Sequence, residues 1–159
     1  MHDPSSSMLD LIRHHLERNG VPYREIGHTP AASAEEYQRV LGTRLEQQAK
    51  CLLVQLKRSK RGPSEYALVT VPAQKRVDLD RISEITGASV RLADRDQLAR
   101  VTGCRFGELP PIGSIMKLPL FMDRELLSEA EIYFNAGRLD RSMAASPVDI
   151  AKLEQATLI

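Results

Sequence analysis

Four glycines, Gly20, Gly42, Gly87 and Gly103, each stand just after a short helical pattern, and apolar runs of strand length lie between those patterns. That punctuation limits the chain to short elements of both kinds. Residues 7–19 read as a helix with Leu9, Ile12 and Leu16 on one face; Pro22 then starts an extended piece, Tyr23 to Ile26. Ser33–Glu36 (SAEE) is a capping-box pattern, so a second helix runs to about Leu41. Lys50–Leu56 (KCLLVQL) reads as a buried strand, KRSKRGPSE as a hairpin loop and Tyr66–Val71 (YALVTV) as the returning strand. DLDRISEITG carries a helix start and stop around Leu79, Ile82 and Ile85; VRLA is a short strand, and a further helix spans about Asp94 to Thr102. IMKLPLFMD is extended but broken by Pro119, which predicts an edge or irregular strand. EIYFNAG and RSMAAS form a hairpin, and SPVDIAKLEQA is a closing helix with Ser146 as its cap and Pro147 at its first position. Helices and strands intermix without strict alternation. That describes an α+β or mixed-sheet α/β domain rather than a doubly wound parallel sheet.

The 159 residues, 42% of them hydrophobic, make one domain, 1–159, with room for a real core; residues 1–20 are its N-terminal helical piece. Net charge is +1, so any nucleic-acid contact has to come from a local basic patch. Aromatics are 4% with no Trp, which argues against a base-stacking sheet of the RRM kind. Cys51 and Cys104 have no Cys-x-x-Cys spacing, and His2, His14, His15 and His28 do not supply ligand spacing, so no metal or cofactor is expected. No apolar run approaches 18 residues and the N-terminus lacks a signal pattern, so the expected compartment is the cytoplasm.

The candidate chemistry gathers in three places. The loop Gly103–Gly113 (GCRFGELPPIG) holds three glycines and two adjacent prolines. Gly107 can take backbone angles closed to other residues, while Pro110 and Pro111 stiffen the second half of the loop. The loop reads either as a cradle of fixed backbone donors and acceptors or as a helix cap with a tight connector. It matches neither a Walker loop nor a Rossmann fingerprint. Lys50, at the mouth of an apolar strand, reads as a phosphate or oxyanion partner or as a snorkelling surface lysine. Asn135, Asp140 and Ser142 surround a turn, either to read a small polar ligand, with Asp orienting a Lys, or as turn chemistry. Ser142 with a histidine and an aspartate would suggest a hydrolase triad, but no Gly-x-Ser-x-Gly elbow is present. Cys51 and Cys104 fit buried thiols, His28 is a loop histidine, and Lys57, Arg58, Lys60 and Arg61 form one basic hairpin tip.

In order along the chain, AKCLLVQL, TGCRFGELPPIG, IYFNAGRLDRSM and PVDIAKL resemble the YbaK/ProX family from about Tyr23 to Leu153. These are aminoacyl-tRNA deacylases related to the editing domain inserted in bacterial prolyl-tRNA synthetases. The pairing of GCxFGxxPP with FNAGxLDxS looks most like the YeaK-type branch, associated with trans-editing of tRNAs mischarged with serine or threonine. The cysteine-removing branch has a loop ending Ser-Pro-Leu-Gly and usually Thr after the key lysine; here Pro110-Pro111-Ile112-Gly113 and Cys51 stand there.

The resemblance implies a mixed, curved, partly barrel-like β-sheet surrounded by helices. It implies ester hydrolysis at the 3′-terminal ribose, with Lys50 and Gly107 as the catalytic pair. Around the substrate it sets Pro111, Asn135, Ala136 and Gly137; His28, Cys51, Phe106, Asp140 and Ser142 are the further candidates for the substrate, and the basic cluster Lys57, Arg58, Lys60 and Arg61 is the candidate for the tRNA backbone. The partner is a mischarged aminoacyl-tRNA, with a synthetase as a further candidate. The alternatives are a non-catalytic module gripping an RNA end or a synthetase, and a deacylase for alanine or cysteine on tRNA for proline.

Overall fold

Residues 7–159 are described by a computed structural model; of the N-terminal piece 1–20, residues 1–6, His2 among them, lie outside the described residues. Helix α1 (Met8–Arg18) starts where the Ser7 hydroxyl accepts from the Asp10 N–H, and it buries Leu9, Ile12 and Leu16. Helix α2 (Ala34–Leu41) starts the same way, with Ser33 Oγ accepting from the Glu36 N–H. The predicted box is half formed there, because the Glu36 carboxylate accepts from the Ser33 hydroxyl rather than from the backbone. Helix α3 (Leu79–Thr86) is capped by Asp78. Helix α4 (Arg95–Thr102) has the full reciprocal box between Asp94 and Gln97, and α5 (Pro147–Glu154) begins at Ser146 with proline at its first position. Four of these helices have only eight residues, too short to persist alone in water, so they exist because one face of each packs on a sheet or a neighbouring loop.

The strands form two sheets. In the larger, β2 (Ala49–Lys57) lies antiparallel between the central β3 (Glu65–Pro72) and the edge strand β4 (Ser89–Leu92). Strand β5 (Leu120–Met122) continues it parallel to β3, and β8 (Thr157–Leu158) lies parallel to β5. The smaller sheet is antiparallel, with β7 (Arg141–Ala145) between β1 (Tyr23–Gly27) and β6 (Ile132–Arg138). An isolated parallel bridge between Gln48 and Tyr133 joins the two. The architecture is mixed α+β, as expected, but the curved wall is split into two sheets rather than running on as one.

Two sequence expectations are corrected. The stretch 115–123 is extended only at its end: a 3-10 turn occupies Gly113–Met116, and β5 follows Pro119. Nor is β5 an edge, since β3 flanks it on one side and β8 on the other. Pro119 fits because it precedes the strand and contributes only its carbonyl, which accepts from the Leu68 N–H at 2.9 Å. The closing helix stops at Glu154, and the chain turns at Gln155 into β8, a two-residue strand too short to show a periodicity.

Alternation along β2 and β3 sorts the core. Leu53 and Leu68 face a cluster with Ile12, Leu16, Met122, Ile132, Met143 and Ile150. Val54, Ala67, Val69 and Val71 face the other way, onto Ile82 of α3 and Phe121. The larger sheet is therefore covered on both faces, which is why its central strands are nearly continuous apolar runs. Each large side chain so buried contributes about 1.5–3 kcal/mol.

Candidate functional site

Where the two sheets part, at the start of β2, a hollow of about 400 Å³ opens. Its walls come from α2 (Ser33, Tyr37), the first residues of β2 (Lys50, Cys51), the glycine–proline loop (Phe106, Gly107, Leu109) and the small sheet (Asn135, Ser142). Lys50 and Gly107, 57 residues apart in sequence, thus share one cavity. Of the sequence-predicted residues, Cys51, Phe106, Asn135 and Ser142 line it with them.

Lys50 is half-buried, and its ammonium donates to the Lys75 carbonyl at 2.9 Å, which leaves two N–H groups over. The Lys75 ammonium itself turns to Asp123 (2.8 Å) and Glu125 (3.2 Å), so a carbonyl rather than a second cation meets Lys50. Burial alone lowers the Lys50 pKa below its ordinary value; no neighbouring carboxylate acts on it. This is a partly dehydrated cation without an ion-pair partner among the described residues, and it is available to an anionic group.

Along the small-sheet side of the hollow runs a chain of hydrogen bonds. His28 places Nδ1 2.8 Å from the Thr29 carbonyl and Nε2 2.8 Å from the Ser142 hydroxyl. Its ring meets Tyr37 edge to face, centroids 5.8 Å apart. The Tyr37 hydroxyl donates to the Gly107 carbonyl at 2.9 Å and accepts from the Asn135 amide. Burial is the main reason the Tyr37 pKa rises to about 12, so this phenol stays protonated. Asn135 also donates to the Arg138 carbonyl, and its oxygen accepts from the Gly137 N–H. Both amide hydrogens of Asn135 are thereby engaged; it holds Tyr37 in place and has no donor left for a ligand. Tyr37 is the wall residue that sequence reasoning misses. Within α2 it looks like an ordinary helical tyrosine, and its partners lie 70 and 98 residues away.

Gly107 has φ +88°, and a Cβ there would meet the Ala32 backbone at 3.1 Å. The loop and the segment before α2 therefore touch through bare main chain, which sets the width of the hollow. Among the described residues nothing accepts from the Gly107 N–H.

Four other predicted residues are placed elsewhere. Ala136 is wholly buried, and Pro111 is buried within the loop and does not line the hollow. Gly137 is needed for packing: a Cβ would come within 2.6 Å of Met8, so α1 can cross the β6–β7 turn only because no side chain stands there. Asp140 orients no lysine; it pairs with Arg138 at 2.9 Å, and that hydrogen bond holds its carboxyl below the usual range.

The thiols are quiet. Cys51 donates weakly to the Pro110 carbonyl at 3.5 Å, and burial pushes its pKa well up; burial likewise pushes Cys104 to about 11. At the mouth, Phe106 (54% exposed) and Leu92 (48%) present apolar surface, and the Arg95 guanidinium lies 5.8 Å from the Phe106 ring centre. The basic hairpin is not part of the cavity. Lys57 lies seven residues along β2 from Lys50, about 23 Å at the rise of a strand. Arg58 is engaged with Glu65 and the Thr86 carbonyl and Lys57 is half-buried, which leaves Lys60 and Arg61 as the exposed charges of that tip with no such partner among the described residues. Among the described residues no cluster of His, Cys, Asp or Glu could hold a metal ion, and no helix is long and apolar enough to cross a membrane.

Residues 28–153 match the model of the aminoacyl-tRNA editing domain. The chain is 32% identical over 146 residues to the multifunctional Ser/Thr-tRNA deacylase ProXp-y of Escherichia coli strain K12, covering 91% of this chain and 86% of that protein. Its fold superimposes on the crystal structure of a hypothetical protein with a TM-score of 0.84, at 25% identity, over 93% of this chain and 96% of the other. It also superimposes on that of a candidate trans-editing enzyme for prolyl tRNA synthetase, with a TM-score of 0.77 and 24% identity, over 100% and 97% of the two chains.

Proposed function

This chain belongs to the aminoacyl-tRNA editing domain family, and from that premise we propose that it is a trans-editing hydrolase that removes serine or threonine from mischarged tRNA. The observation that carries the reading is the meeting of an unpaired ammonium, Lys50, and a main-chain clamp, Gly107, across one hollow of about 400 Å³. That volume is at the small end of ligand sites and suits an aminoacyl group with its ribose.

The ester between an amino acid and the 3′-terminal ribose is already activated, so no strong protein nucleophile is needed. The site has to hold the ester still, admit a water and stabilise the charge that builds on the carbonyl oxygen. In this reading Lys50 holds the terminal phosphate or neutralises charge beside the ester, and the free N–H of Gly107 supplies a fixed donor. Water activation falls to the substrate's own ribose hydroxyl or phosphate. Phe106 and Leu92 offer the terminal base a face at the mouth. The basic hairpin, about 23 Å away, is within reach of the acceptor backbone. A synthetase working beside the protein is compatible with this arrangement and is not required by it.

The test is single-turnover deacylation of seryl-, threonyl-, alanyl- and cysteinyl-tRNA by the wild type and by Lys50→Ala. Serine and threonine should leave fastest, and the variant should lose about 10²–10³-fold, the usual effect of removing one charge-stabilising group. Tight binding without hydrolysis would turn the reading into that of an RNA-end binder, and an unaffected Lys50→Ala would take the lysine out of the mechanism.

A further inference from the structure

After β3 the chain makes one tight turn before it runs to the Asp78 cap of α3. The Lys75 N–H closes that turn on the Pro72 carbonyl at 2.9 Å, and among the described residues no backbone hydrogen bond ties Gln74, Arg76 or Val77. The carbonyl that takes a proton from Lys50 belongs to this sparsely bonded segment, at Lys75. A side chain anchors it: the Lys75 ammonium lies 2.8 Å from Asp123 and 3.2 Å from Glu125. Asp123 is itself firmly held. It is buried, its N–H donates to the Thr70 carbonyl at 2.9 Å, and its Oδ1 accepts from the Glu125 N–H at 2.9 Å, which leaves Oδ2 for Lys75. A line of bonds thus runs from the end of β5, through the side chain and then the carbonyl of Lys75, to the ammonium of Lys50. Lys50 lines the hollow; Lys75 and Asp123 do not.

We propose that Lys75 and Asp123 are positioning residues: their ion pair fixes the Lys75 carbonyl, and that carbonyl holds the Lys50 ammonium at the hollow. The inference rests on the reading of Lys50 as the group that meets the ester or its phosphate, and it goes further in saying what keeps that side chain in place. A long unbranched side chain samples many rotamers when nothing holds it. An acceptor fixed beside the ammonium restricts that sampling before substrate arrives, and charge stabilisation depends on such preorganisation.

The experiment compares the wild type, Lys75→Met, Lys75→Arg, Asp123→Asn and Arg76→Met in the full chain. Arginine at position 75 keeps a cation for the carboxylates. Arg76→Met removes the same charge as Lys75→Met from the neighbouring residue and leaves the ion pair intact. Carbon-13 relaxation at Lys50 Cε, assigned through its loss in Lys50→Met, should report a restricted side chain in the wild type, Lys75→Arg and Arg76→Met. It should report a mobile one in Lys75→Met and Asp123→Asn. Single-turnover deacylation of seryl-tRNA should fall about 10–100-fold in the two mobile variants and recover in Lys75→Arg. Adding Lys75→Met to Lys50→Ala should cost nothing more, because a residue that acts through Lys50 then has nothing left to position. A mobile Lys50 in the wild type, a restricted one in Lys75→Met, or losses that multiply in the double variant would overturn the proposal. Should Asp123→Asn fail to fold, Lys75→Met keeps the test, since that side chain is 43% exposed. The relaxation readout does not depend on turnover: a wild type inert on every mischarged tRNA but with the expected pattern at Cε would refute only the deacylase reading.

Discussion

Replacing Gly107 by alanine separates two demands made on one residue. The first is conformational: at φ +88° an L side chain is strained by about 1–2 kcal/mol. The second is contact, because the new Cβ would stand 3.1 Å from Ala32 Cα and O and 3.3 Å from its Cβ. That is closer than carbon atoms settle, so loop and segment must part by a few tenths of an ångström, at about 1–2 kcal/mol more for overpacking. Gly103 supplies the control. It has φ +72°, but a Cβ there would meet nothing within 4 Å, so Gly103→Ala carries the first demand without the second. Urea unfolding should therefore show Gly103→Ala losing about 1–2 kcal/mol and Gly107→Ala about 2–4 kcal/mol. Single-turnover deacylation should stay near wild type in the first. In the second it should fall on the order of tenfold, because the Gly107 carbonyl that anchors Tyr37 moves with the loop. Equal stability losses, with full activity in Gly107→Ala, would refute the claim that this approach of main chain on main chain sets the hollow.

Three further outcomes are expected. Burial holds the Lys50 pKa below its ordinary value, so if the ammonium is the working form, kcat/KM should fall as pH rises through that lowered pKa, with the alkaline limb starting below where a free lysine titrates. Over the same window the unfolded chain binds more protons than the folded one, so stability should rise with pH, and Lys50→Met should abolish both trends. Glu154, its side chain 1% exposed, takes bonds from the Ser114 N–H and hydroxyl and from His15, tying α5 to the 3-10 turn and α1. Glu154→Ala should lose about 1–3 kcal/mol by urea unfolding through the donors left unpaired, with little change in deacylation at low temperature. Phe106→Ala should raise KM for seryl-tRNA by the equivalent of about 1–3 kcal/mol of base stacking and leave hydrolysis of seryl methyl ester unchanged; an equal effect on both would place the ring against the amino acid instead.

Much of this molecule is legible in its sequence because the deciding interactions are local. Ser7, Ser33, Asp78, Asp94 and Ser146 each accept from the N–H three residues on, so the five helix starts can be read from neighbouring letters. Apolar runs of strand length mark β2 and β3, because both faces of each strand are buried. The order of the separated segments points to the family and, through it, to Lys50 and Gly107. What stayed hidden depends on partners far along the chain. Tyr37 becomes a wall of the site only through Gly107 and Asn135, 70 and 98 residues on, and the buried Ser142 hydroxyl finds its partner in His28, 114 residues before it. Gly137 and Asp140 sit in the right motif, yet the crossing of α1 and the nearness of Arg138 give them other work. Local bonding writes the elements into the sequence; the way the elements close on one another decides which polar atoms are already satisfied and which remain for a ligand.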